Sequence, residues 1–548
     1  MLKIINYLKP QYDGKIYYNV LFALTFAVAV FLPDFILRLL NDLPIYVETL
    51  FFFGVLLFGF LLSLAGRFVV FFFMIIIFIM QLIQLNCLAY FGTPLEASNL
   101  MNITREARDL FDISYLRHTW FNAPVLLILY GLTLYVFTKC KMIKIKWIWL
   151  VIMYMAMHKP YRAFSHSKDI WYFQPSITRP SLRNSISTFS YFFFRYLPDG
   201  YKQLSIEYKP YSAKQEMTSD TENILLIFGE SLYAPHLQIY GYGRETFPKT
   251  AKRIKNDKDW KTALGMSGGI ATATSTLLFF NGLREPANAG ELKNKTANLF
   301  RLAKEAGYKT HYFSNQESRL TMSLGLKNID EVITNDTRLL FFSKYHDEGL
   351  VKLLSEIDFN QGKNFVVLHM RSPHSPFENR YKGREDEFEK FKPAADSQDR
   401  FLYYQNTYDN ALLYTDMVID MMVDEFEKLN KGKNYSIYIT ADHGELFDYK
   451  GMYGHNNLVL EQAKVPFLMK KKNSEDLPAV ISHYQIAKLI ARDFGFNVIN
   501  PNEEDNIYYL HGNNIDFPYD YIKYRIEHQG NVVQMEQNNT TNLKTSVK

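Results

Sequence analysis

Cysteine is almost absent from this chain of 548 residues, and its two cysteines, Cys87 and Cys140, both lie in an apolar N-terminal part. The remainder of the chain therefore has no disulfide and no thiolate metal site. An excess of positive charge is also lacking, because the formal net charge is only +5. No basic run is interleaved with aromatic residues outside the flanks of the apolar segments. The sequence thus argues against nucleic acid as a partner.

The chain consists of two unlike parts. Residues 16–158 are dominated by Phe, Leu, Ile and Val, whereas residues 222–548 have the composition of an ordinary soluble domain. Five apolar segments are recognisable: Ile16–Leu32, Thr49–Ala65, Phe68–Phe91, Phe121–Phe137 and Ile145–His158. The first four are long enough to cross ~30 Å of hydrocarbon, whereas the fifth covers only about 21 Å as a helix. It is either a short fifth span or an interfacial helix, and we predict a transmembrane domain of about five helices over residues 1–160.

The basic residues of the apolar part indicate its orientation. They lie before the first span, between spans two and three, and between spans four and five. With five spans all of these positions fall on one side, which satisfies the positive-inside rule and places the soluble domain outside the inner membrane. The first apolar segment has no small-residue cleavage site, so we expect it to remain as an anchor.

Two polar stretches border the apolar segments. Ser98, Asn102 and Glu106, between spans three and four, would form one polar stripe on a helix. By spacing alone, a solvated helix face is the better interpretation of that stripe. Residues 161–221 are rich in Ser, Arg and aromatic residues, which is typical of a connector at a membrane interface.

Residues 222–529 alternate short apolar runs with helical stretches, which predicts a mainly parallel sheet with helices on both faces. The predicted strands cover residues 223–228, 308–314, 365–369, 435–440 and 465–469. Residues 530–548 are polar and rich in Asn and Thr, and we expect this tail to be disordered.

Acidic residues follow two of the predicted strands. Glu230 comes after the unbroken apolar run that ends at Gly229, and Asp442 and His443 come after the strand at 435–440. Ligands of open α/β sheets bind at such strand ends. Taken singly, each acid is equally well explained as a helix N-cap or a turn residue. Together, carboxylates and an imidazole without a thiolate predict a site for zinc or manganese.

The segment Ser267–Leu277, between the two acidic strand ends, carries four hydroxyls after a Gly pair. They belong to Thr272, Thr274, Ser275 and Thr276. A hydroxyl at a helix start lies where free N–H groups would stabilise an alkoxide and a phosphate, although an N-capped Ser/Thr-rich turn is the better explanation of the segment taken alone. A general base contributes roughly 10²–10⁴ in rate, whereas zinc lowers the pKa of bound water from 15.7 to about 7. A threonine nucleophile is therefore activated more strongly by metal ligation, which joins this segment to Glu230, Asp442 and His443.

Four further residues follow predicted strands or the second acidic strand end. His374 and His455 are each interpreted as a phosphate binder, a general acid, a ligand of a second ion or a structural histidine. Asn315 and Arg319 follow the strand at 308–314. An arginine at that place either clamps a phosphate or is a solvated surface residue.

Several of these stretches together resemble a known family. Residues 229–248, GESLYAPHLQIYGYGRETFP, closely resemble the opening motif of bacterial phosphoethanolamine transferases. Further stretches resemble the nucleophile loop, the metal-binding strand end and the two histidine loops of that family: SGGIATATS, ITADHGE, RSPHSP and YGHNN. The resemblance covers the whole chain in outline, and it implies five transmembrane helices, an interfacial connector and an alkaline-phosphatase/sulfatase-like domain.

The resemblance also implies roles for individual residues. The implied zinc ligands, of which Thr272 is also the nucleophile, are Glu230, Thr272, Asp442 and His443. The residues implied to surround the phosphoethanolamine are Asn315, Arg319, His374, Glu445 and His455. Arg319 stands where many members have Lys. The stripe of Ser98, Asn102 and Glu106 resembles the lipid-facing polar helix of the family, although two of its three residue types differ.

The implied reaction moves phosphoethanolamine from phosphatidylethanolamine, via phospho-threonine, to lipopolysaccharide, in a multi-pass protein of the bacterial inner membrane with its catalytic domain in the periplasm. The implied cofactor is one or two ions of zinc, with manganese as the alternative. Members that modify lipid A usually carry disulfides in the soluble domain, so the lack of cysteine there favours a core sugar, heptose or Kdo, as acceptor.

Two other functions compete with this one. A phosphoglycerol transferase of the same superfamily, acting on a glycan or a teichoic acid, would carry similar ligands, but the match over residues 229–248 disfavours it. A non-catalytic membrane scaffold that binds lipid is disfavoured because no implied metal ligand has been lost.

The basic loop between spans four and five gives a topological prediction. A reporter that is active only in the cytoplasm, fused after Thr221, should be silent, because Lys139, Lys141, Lys144 and Lys146 hold their loop inside. The same reporter fused after Lys141 should be active. Activity after Thr221 would show that the fifth segment does not cross.

Overall fold

The chain divides into two compact units, Met1–Lys202 and Gln203–Lys548. A computed structural model describes residues 15–40, 48–91, 113–141, 146–165, 178–196, 207–392, 400–513 and 520–538, with the single positions 45, 94, 95, 97, 100, 173, 175, 176 and 515. The stripe residues Ser98, Asn102 and Glu106 lie outside these positions. Residues 207–221, assigned from sequence to the connector, belong to the second unit.

The first unit is helical. Its helices are α1 Ile16–Leu40, α2 Thr49–Ser63, α3 Arg67–Phe91, α4 Ile113–Phe137, α5 Lys146–Ser165 and α6 Ser181–Tyr191, which continues into a π-helical turn, Phe192–Tyr196. Each of the five predicted apolar segments is helical. Among the described residues, three stretches are long and apolar enough to cross a membrane: Ile16–Leu40, Arg67–Ala89 and Trp120–Phe137. Helix α2 is apolar but has only 15 residues, so a total of five spans stays a prediction.

Buried polar contacts hold the helices of the first unit in register. Asp34 of α1 pairs with Arg38 at 3.0 Å and accepts a hydrogen bond from the Ser181 backbone N–H at 3.1 Å, at the start of α6. Gln81 of α3 donates to the Val30 carbonyl at 2.7 Å and accepts from the Tyr130 hydroxyl of α4 at 2.7 Å. Because an unpaired polar group is costly in an apolar interior, the bond from Ser181 to Asp34 and the two bonds of Gln81 each fix one helix against another, whereas the Asp34–Arg38 pair lies within α1.

The second unit alternates strands with helices. Its strands are β1 Ser212–Gln215, β2 Asn223–Gly229, β3 Trp260–Met266, β4 Tyr308–Ser314, β5 Glu331–Ile333, β6 Lys363–His369, β7 Tyr435–Ala441, β8 Leu446–Tyr449, β9 Met452–Gly454, β10 Lys464–Lys471, β11 Val480–Ser482, β12 Phe496–Ile499, β13 Ile507–His511, β14 Tyr521–Ile526 and β15 Val532–Asn538. Its α-helices are α7 Pro248–Asn256, α8 Thr272–Phe280, α9 Ala289–Asn294, α10 Leu299–Glu305, α11 Leu339–Tyr345, α12 Glu348–Ser355, α13 Glu385–Phe388, α14 Arg400–Leu429 and α15 His483–Asp493. Short 3₁₀ turns cover Ala234–His236, Gln238–Tyr240, Ser318–Ser323, Leu326–Asn328, Phe377–Arg380 and Leu460–Ala463.

An eight-stranded sheet forms the centre of this unit, in the order β11-β3-β10-β7-β2-β6-β4-β5. Strands β7, β2, β6, β4 and β5 are parallel to one another, and β10 alone runs antiparallel to both of its neighbours. The predicted mainly parallel sheet is therefore confirmed.

Strand β2 shows why the apolar run is unbroken. Ile224, Leu226 and Phe228 face one hydrophobic core, which includes residues of α8, α10 and α15. Leu225 and Ile227 face a second core, which includes residues of α12 and α14. A strand covered by helices on both faces has no polar side, so the alternation of side chains distributes apolar residues to two cores.

The expectation of a disordered tail from residue 530 is wrong for residues 532–538. They form β15, which pairs antiparallel with β14 in a three-stranded sheet. Most of its side chains are exposed or half-buried. An edge strand of this kind is held by backbone hydrogen bonds, which its polar composition does not reveal. Residues 539–548 lie outside the described part.

Leu226 at the centre of β2 gives a test of this core. Leu226→Ala should destabilise the second unit by ~2–5 kcal/mol, because the residue is 0% exposed and the substitution leaves a cavity. In full-length protein in detergent, the thermal transition of this unit should move down by about 3–7 °C. Leu340→Ala, at a residue that is 82% exposed, is the control and should leave the transition unchanged. An equal shift for both variants would contradict the assignment of the core.

Candidate metal centre and active site

Two neighbouring strand ends bring the predicted ligands together. Strands β2 and β7 are parallel, with Gly229 opposite Ala441, so Glu230, Asp442 and His443 leave the sheet at the same edge. Their ligand atoms all lie within 4.8 Å of one another, and the three side chains are buried. This edge is the carboxyl end of the sheet, as the sequence predicts.

The Thr272 hydroxyl lies against this group. Thr272 is the first residue of α8, and its Oγ1 is 3.1 and 3.3 Å from the two carboxylate oxygens of Glu230 and 3.5 Å from His443 Nε2. Thr272 is half-buried, whereas Thr274, Ser275 and Thr276 are buried. Of the four hydroxyls on this loop, that of Thr272 is therefore the one placed both beside the acids and within reach of a ligand.

The loop before Thr272 is fixed by a distant strand. His511 at the end of β13 donates its backbone N–H to the Gly268 carbonyl at 2.8 Å and accepts from the Ile270 N–H at 3.1 Å. A Cβ on Gly269 would lie 2.7 Å from the Ser275 backbone nitrogen, so only glycine fits between the loop and α8. Sequence reasoning did not find His511, because no local pattern indicates which strand pairs with this loop.

The electrostatics of the group favour a cation. Burial raises the pKa of the Asp442 carboxyl well above its usual value, and the charge of Glu230 raises it further. Burial alone would also raise the pKa of Glu230, but the imidazoles of His374 and His443 outweigh it and lower that pKa to about 2. Burial lowers the pKa of His443 to about 4, so its imidazole is neutral at pH 7. Its Nδ1 lies 3.0 Å from the Gly444 carbonyl, which places the proton on Nδ1 and leaves the lone pair on Nε2.

The hydrogen bonds of Asp442 leave one ligand atom open. Its Oδ1 accepts from the backbone N–H groups of Ser231 at 2.8 Å and His443 at 2.7 Å, whereas its buried Oδ2 has no hydrogen-bond partner. That Oδ2 lies 3.4 Å from His443 Nε2. A buried carboxylate oxygen without a donor is costly unless a cation binds it. Two carboxylates, a neutral imidazole and a hydroxyl suit zinc, so the residues present fit this ion.

Gln316 is a residue of this site that sequence reasoning missed. Its Nε2 donates to Glu230 Oε2 at 2.6 Å and to the Met370 carbonyl at 2.9 Å, so it orients the Glu230 carboxylate. Gln316 follows the end of β4. The strand-end rule that selected Glu230 therefore offered a signal for it, but an amide is a weaker signal than a charged ligand.

A second group of titratable residues lies beside the first. His455 Nδ1 is 3.0 Å from Glu445 Oε2. The ring centroid of His455 is 4.8 Å from that of His443 and 5.6 Å from that of His374. Burial would lower the pKa of His455, but its hydrogen bond to the Glu445 carboxylate outweighs burial and raises it. The structure therefore brings His374, Glu445 and His455 together next to the ligand group.

The two residues after β4 are placed differently. The Asn315 amide nitrogen donates to Asp347 Oδ1 at 2.7 Å, and its Oδ1 accepts from Asn335 at 2.7 Å. This amide is thus engaged with neighbouring side chains. Arg319 lies in the 3₁₀ turn Ser318–Ser323, and its side chain is outside the described part of the structure.

Comparison with known proteins places this fold in a class. Residues 222–487 match the model of the Sulfatase family, so this part of the chain is a sulfatase-family domain. Phosphoethanolamine transferase EptC of Escherichia coli (strain K12) is 24% identical over 248 residues, which are 42% of this chain and 41% of that protein. Phosphatidylethanolamine transferase Mcr-2 of Escherichia coli is 27% identical over 327 residues, or 54% of this chain and 60% of that protein.

The chain spans about half the length of the curated relatives it matches. Among solved structures, the C-terminal periplasmic domain of EptC from Escherichia coli in complex with zinc is 21% identical, with a TM-score of 0.47. That match covers 56% of this chain and 94% of the other.

Asp442→Asn tests the ligand group. The substitution keeps the shape of the side chain and the acceptor for two backbone N–H groups but removes its charge and its open oxygen. We expect the zinc content of the purified full-length protein, measured by elemental analysis, to fall to background. The metal-free variant should unfold at no lower temperature than the metal-free wild type, because one of two adjacent buried carboxylates is gone. Asp476→Asn, at an exposed acid, should keep its zinc. Full metal occupancy in Asp442→Asn would overturn the ligand set.

Proposed function

We propose that this protein is a metal-dependent phosphoethanolamine transferase that takes phosphoethanolamine from phosphatidylethanolamine, holds it on Thr272 and passes it to lipopolysaccharide. The observation that carries the proposal is the position of the Thr272 hydroxyl, 3.1 Å from Glu230 Oε2 at the start of α8. The similarity to EptC and Mcr-2 supports this choice within the sulfatase class.

Glu230, Thr272, Asp442 and His443 would hold the zinc ion. When bound, zinc supplies Lewis-acid polarisation of a phosphate oxygen and lowers the pKa of a hydroxyl beside it. Manganese is the alternative ion. The group of His374, Glu445 and His455 either holds a second ion or contacts the phosphoethanolamine.

In the first step, Thr272 Oγ1 attacks the phosphorus of phosphatidylethanolamine and the bond from phosphorus to the glycerol oxygen breaks. The Thr272 hydroxyl, which donates to Glu230 Oε2 and is oriented by it, loses its proton to solvent as Oγ1 attacks, because the low pKa of that carboxyl makes it a poor base. The His455 imidazole, held by Glu445, is placed to give a proton to the departing diacylglycerol. The free N–H groups in the first turn of α8 stabilise the phosphate oxygens.

In the second step, an acceptor hydroxyl attacks the same phosphorus and gives its proton to His455. The bond from phosphorus to Thr272 Oγ1 then breaks, and a proton from solvent restores the threonine hydroxyl. The enzyme is thereby restored, as a two-step transfer requires. Asn315 and Arg319 contact the phosphoethanolamine in this proposal.

The proposed acceptor is a core heptose or Kdo, with lipid A as the alternative. The absence of cysteine from residues 203–548 motivates this preference. The proposed location is the bacterial inner membrane, with the second unit in the periplasm and with Ser98, Asn102 and Glu106 contacting membrane lipid.

The covalent intermediate is the test. Full-length protein incubated with phosphatidylethanolamine and no acceptor should gain phosphoethanolamine on the peptide Ser267–Leu277, as read by mass spectrometry. Thr272→Ala should gain none, and Thr272→Ser should gain it more slowly, since the hydroxyl remains without its methyl group. Thr274→Val is the matched control and should label normally, because the Thr274 side chain is buried. Transfer by Thr272→Ala at the wild-type rate would rule out the two-step reaction.

A further inference from the structure

A polar cavity of about 340 Å³ lies beside the metal centre. Its wall includes Arg371 and Arg380, the amides of Asn335 and Asn379, and two aromatic rings, the phenyl of Phe342 and the imidazole of His346. Ligand pockets commonly have volumes of ~300–1,000 Å³, so the space suits one sugar-sized group. The polar wall is unlike that of a pocket for a lipid chain.

The cavity and the metal centre share a wall. Gln316, which bonds to Glu230 and to the Met370 carbonyl, lies in the chain between Asn315 and Glu317, and both of these line the cavity. Arg371, also on the wall, directly follows Met370. Gln316 therefore connects the wall of the cavity to the Glu230 carboxylate, which contacts Thr272.

The two arginines on this wall have no partner among the described residues. Neither guanidinium forms a hydrogen bond or an ion pair there, and the buried Nε of Arg380 is unsatisfied. Elsewhere in the same unit Arg253, Arg284 and Arg384 each pair with an acid. Two half-buried guanidiniums facing one space leave donors for an oxyanion, which arginine binds in bidentate geometry.

The acids nearby do not satisfy these donors. Asp347 is fully buried behind the wall and accepts from the Asn315 amide at 2.7 Å and from the backbone N–H groups of Arg371 at 3.0 Å and Ser372 at 2.8 Å. It fixes the wall without reaching either guanidinium. Glu317 also lines the cavity, so the local positive charge is moderate. A singly charged group flanked by hydroxyls fits such a site better than a polyphosphate.

We propose that this cavity binds one anionic sugar unit of the acceptor, with its oxyanion held by Arg371 and Arg380 and its hydroxyls facing the amides of Asn335 and Asn379. The inference rests on the proposed transfer reaction and specifies its acceptor. The transferred phosphate must itself reach Thr272, so the anion in the cavity is a different one. The same chemistry suits a sugar phosphate or a sugar carboxylate.

A direct binding measurement tests, independently of catalysis, whether the cavity takes an anionic sugar. Full-length protein in detergent, stripped of metal so that phosphate does not bind at the metal centre, is titrated by calorimetry with glucose 1-phosphate, glucuronate or glucose. We expect the charged sugars to bind and glucose to bind far more weakly, and the stronger of the two charged probes identifies the oxyanion. Arg371→Gln and Arg380→Gln should each weaken binding about tenfold or more, since each removes a charged hydrogen-bond donor. Arg371→Lys and Arg380→Lys should lose less.

Arg338→Gln is the control for the binding test, because Arg338 is exposed and does not line the cavity. It should bind like the wild type. Thermal unfolding establishes that the variants are folded. If a Gln variant does not fold, the Lys variant at the same position replaces it in the binding test. Equal affinity for glucose and its charged analogues, or unchanged affinity in folded Arg371 and Arg380 variants, would overturn the proposal.

Measuring the two half-reactions separately then shows whether the cavity acts on the acceptor or on the donor. With phosphatidylethanolamine alone, Arg371→Gln and Arg380→Gln should form the adduct on Ser267–Leu277 at the wild-type rate, whereas its transfer to lipopolysaccharide should slow about tenfold or more. Slower adduct formation with normal transfer would assign the cavity to the donor and overturn the inference. If the wild type forms no adduct, the proposed function fails, and the binding test still decides whether the cavity takes an anionic sugar.

Discussion

The burial of two carboxylates side by side is the constraint on which this site depends. Glu230 and Asp442 leave adjacent parallel strands at the same edge, where no lysine or arginine side chain among the described residues pairs with either carboxylate. Such a pair is tolerated when a neutral imidazole and a cation complete it. The apolar strands between two cores keep the pair rigid, so its geometry is set by the sheet and not by the loops around it.

Around that pair the side chains fall into successive layers. Gln316 orients Glu230, and backbone N–H groups orient Asp442, so both ligands are held before any ion binds. Thr272 reaches the pair from the start of a helix, where the first N–H groups have no partner within the helix. The buried Asp347 performs the corresponding task one layer farther out, because it fixes the wall of the neighbouring cavity. Preorganisation of this kind costs nothing at the moment of reaction.

The features of the fold and of the site that depend on local pattern and on chain order were predicted from the sequence. The unbroken apolar run of β2 and the acids after β2 and β7 predicted a parallel sheet and the edge at which Glu230, Asp442 and His443 meet. It did not predict the pairing of His511 with the loop at Gly268, since a contact between distant segments has no local signature. The strand Val532–Asn538 was missed for a related reason: its backbone, and not its polar side chains, carries its interactions.

The pairing of His511 with the nucleophile loop has a consequence for how the protein is made. The loop that carries Thr272 is synthesised long before β13, the strand with which it pairs. A contact between two segments forms only after both have been synthesised, so the contacts of the loop with β13 come after those with earlier segments. By then the loop is already bonded to segments that precede β13, because Ser267 donates its backbone N–H to the Ala463 carbonyl at 2.7 Å and Gln462 Nε2 donates to the Ile270 carbonyl at 2.6 Å. The emerging chain can therefore pass through a stage in which its metal ligands are in the sheet and the loop of Thr272 is only partly held, and β13 then adds the contacts at Gly268 and Ile270.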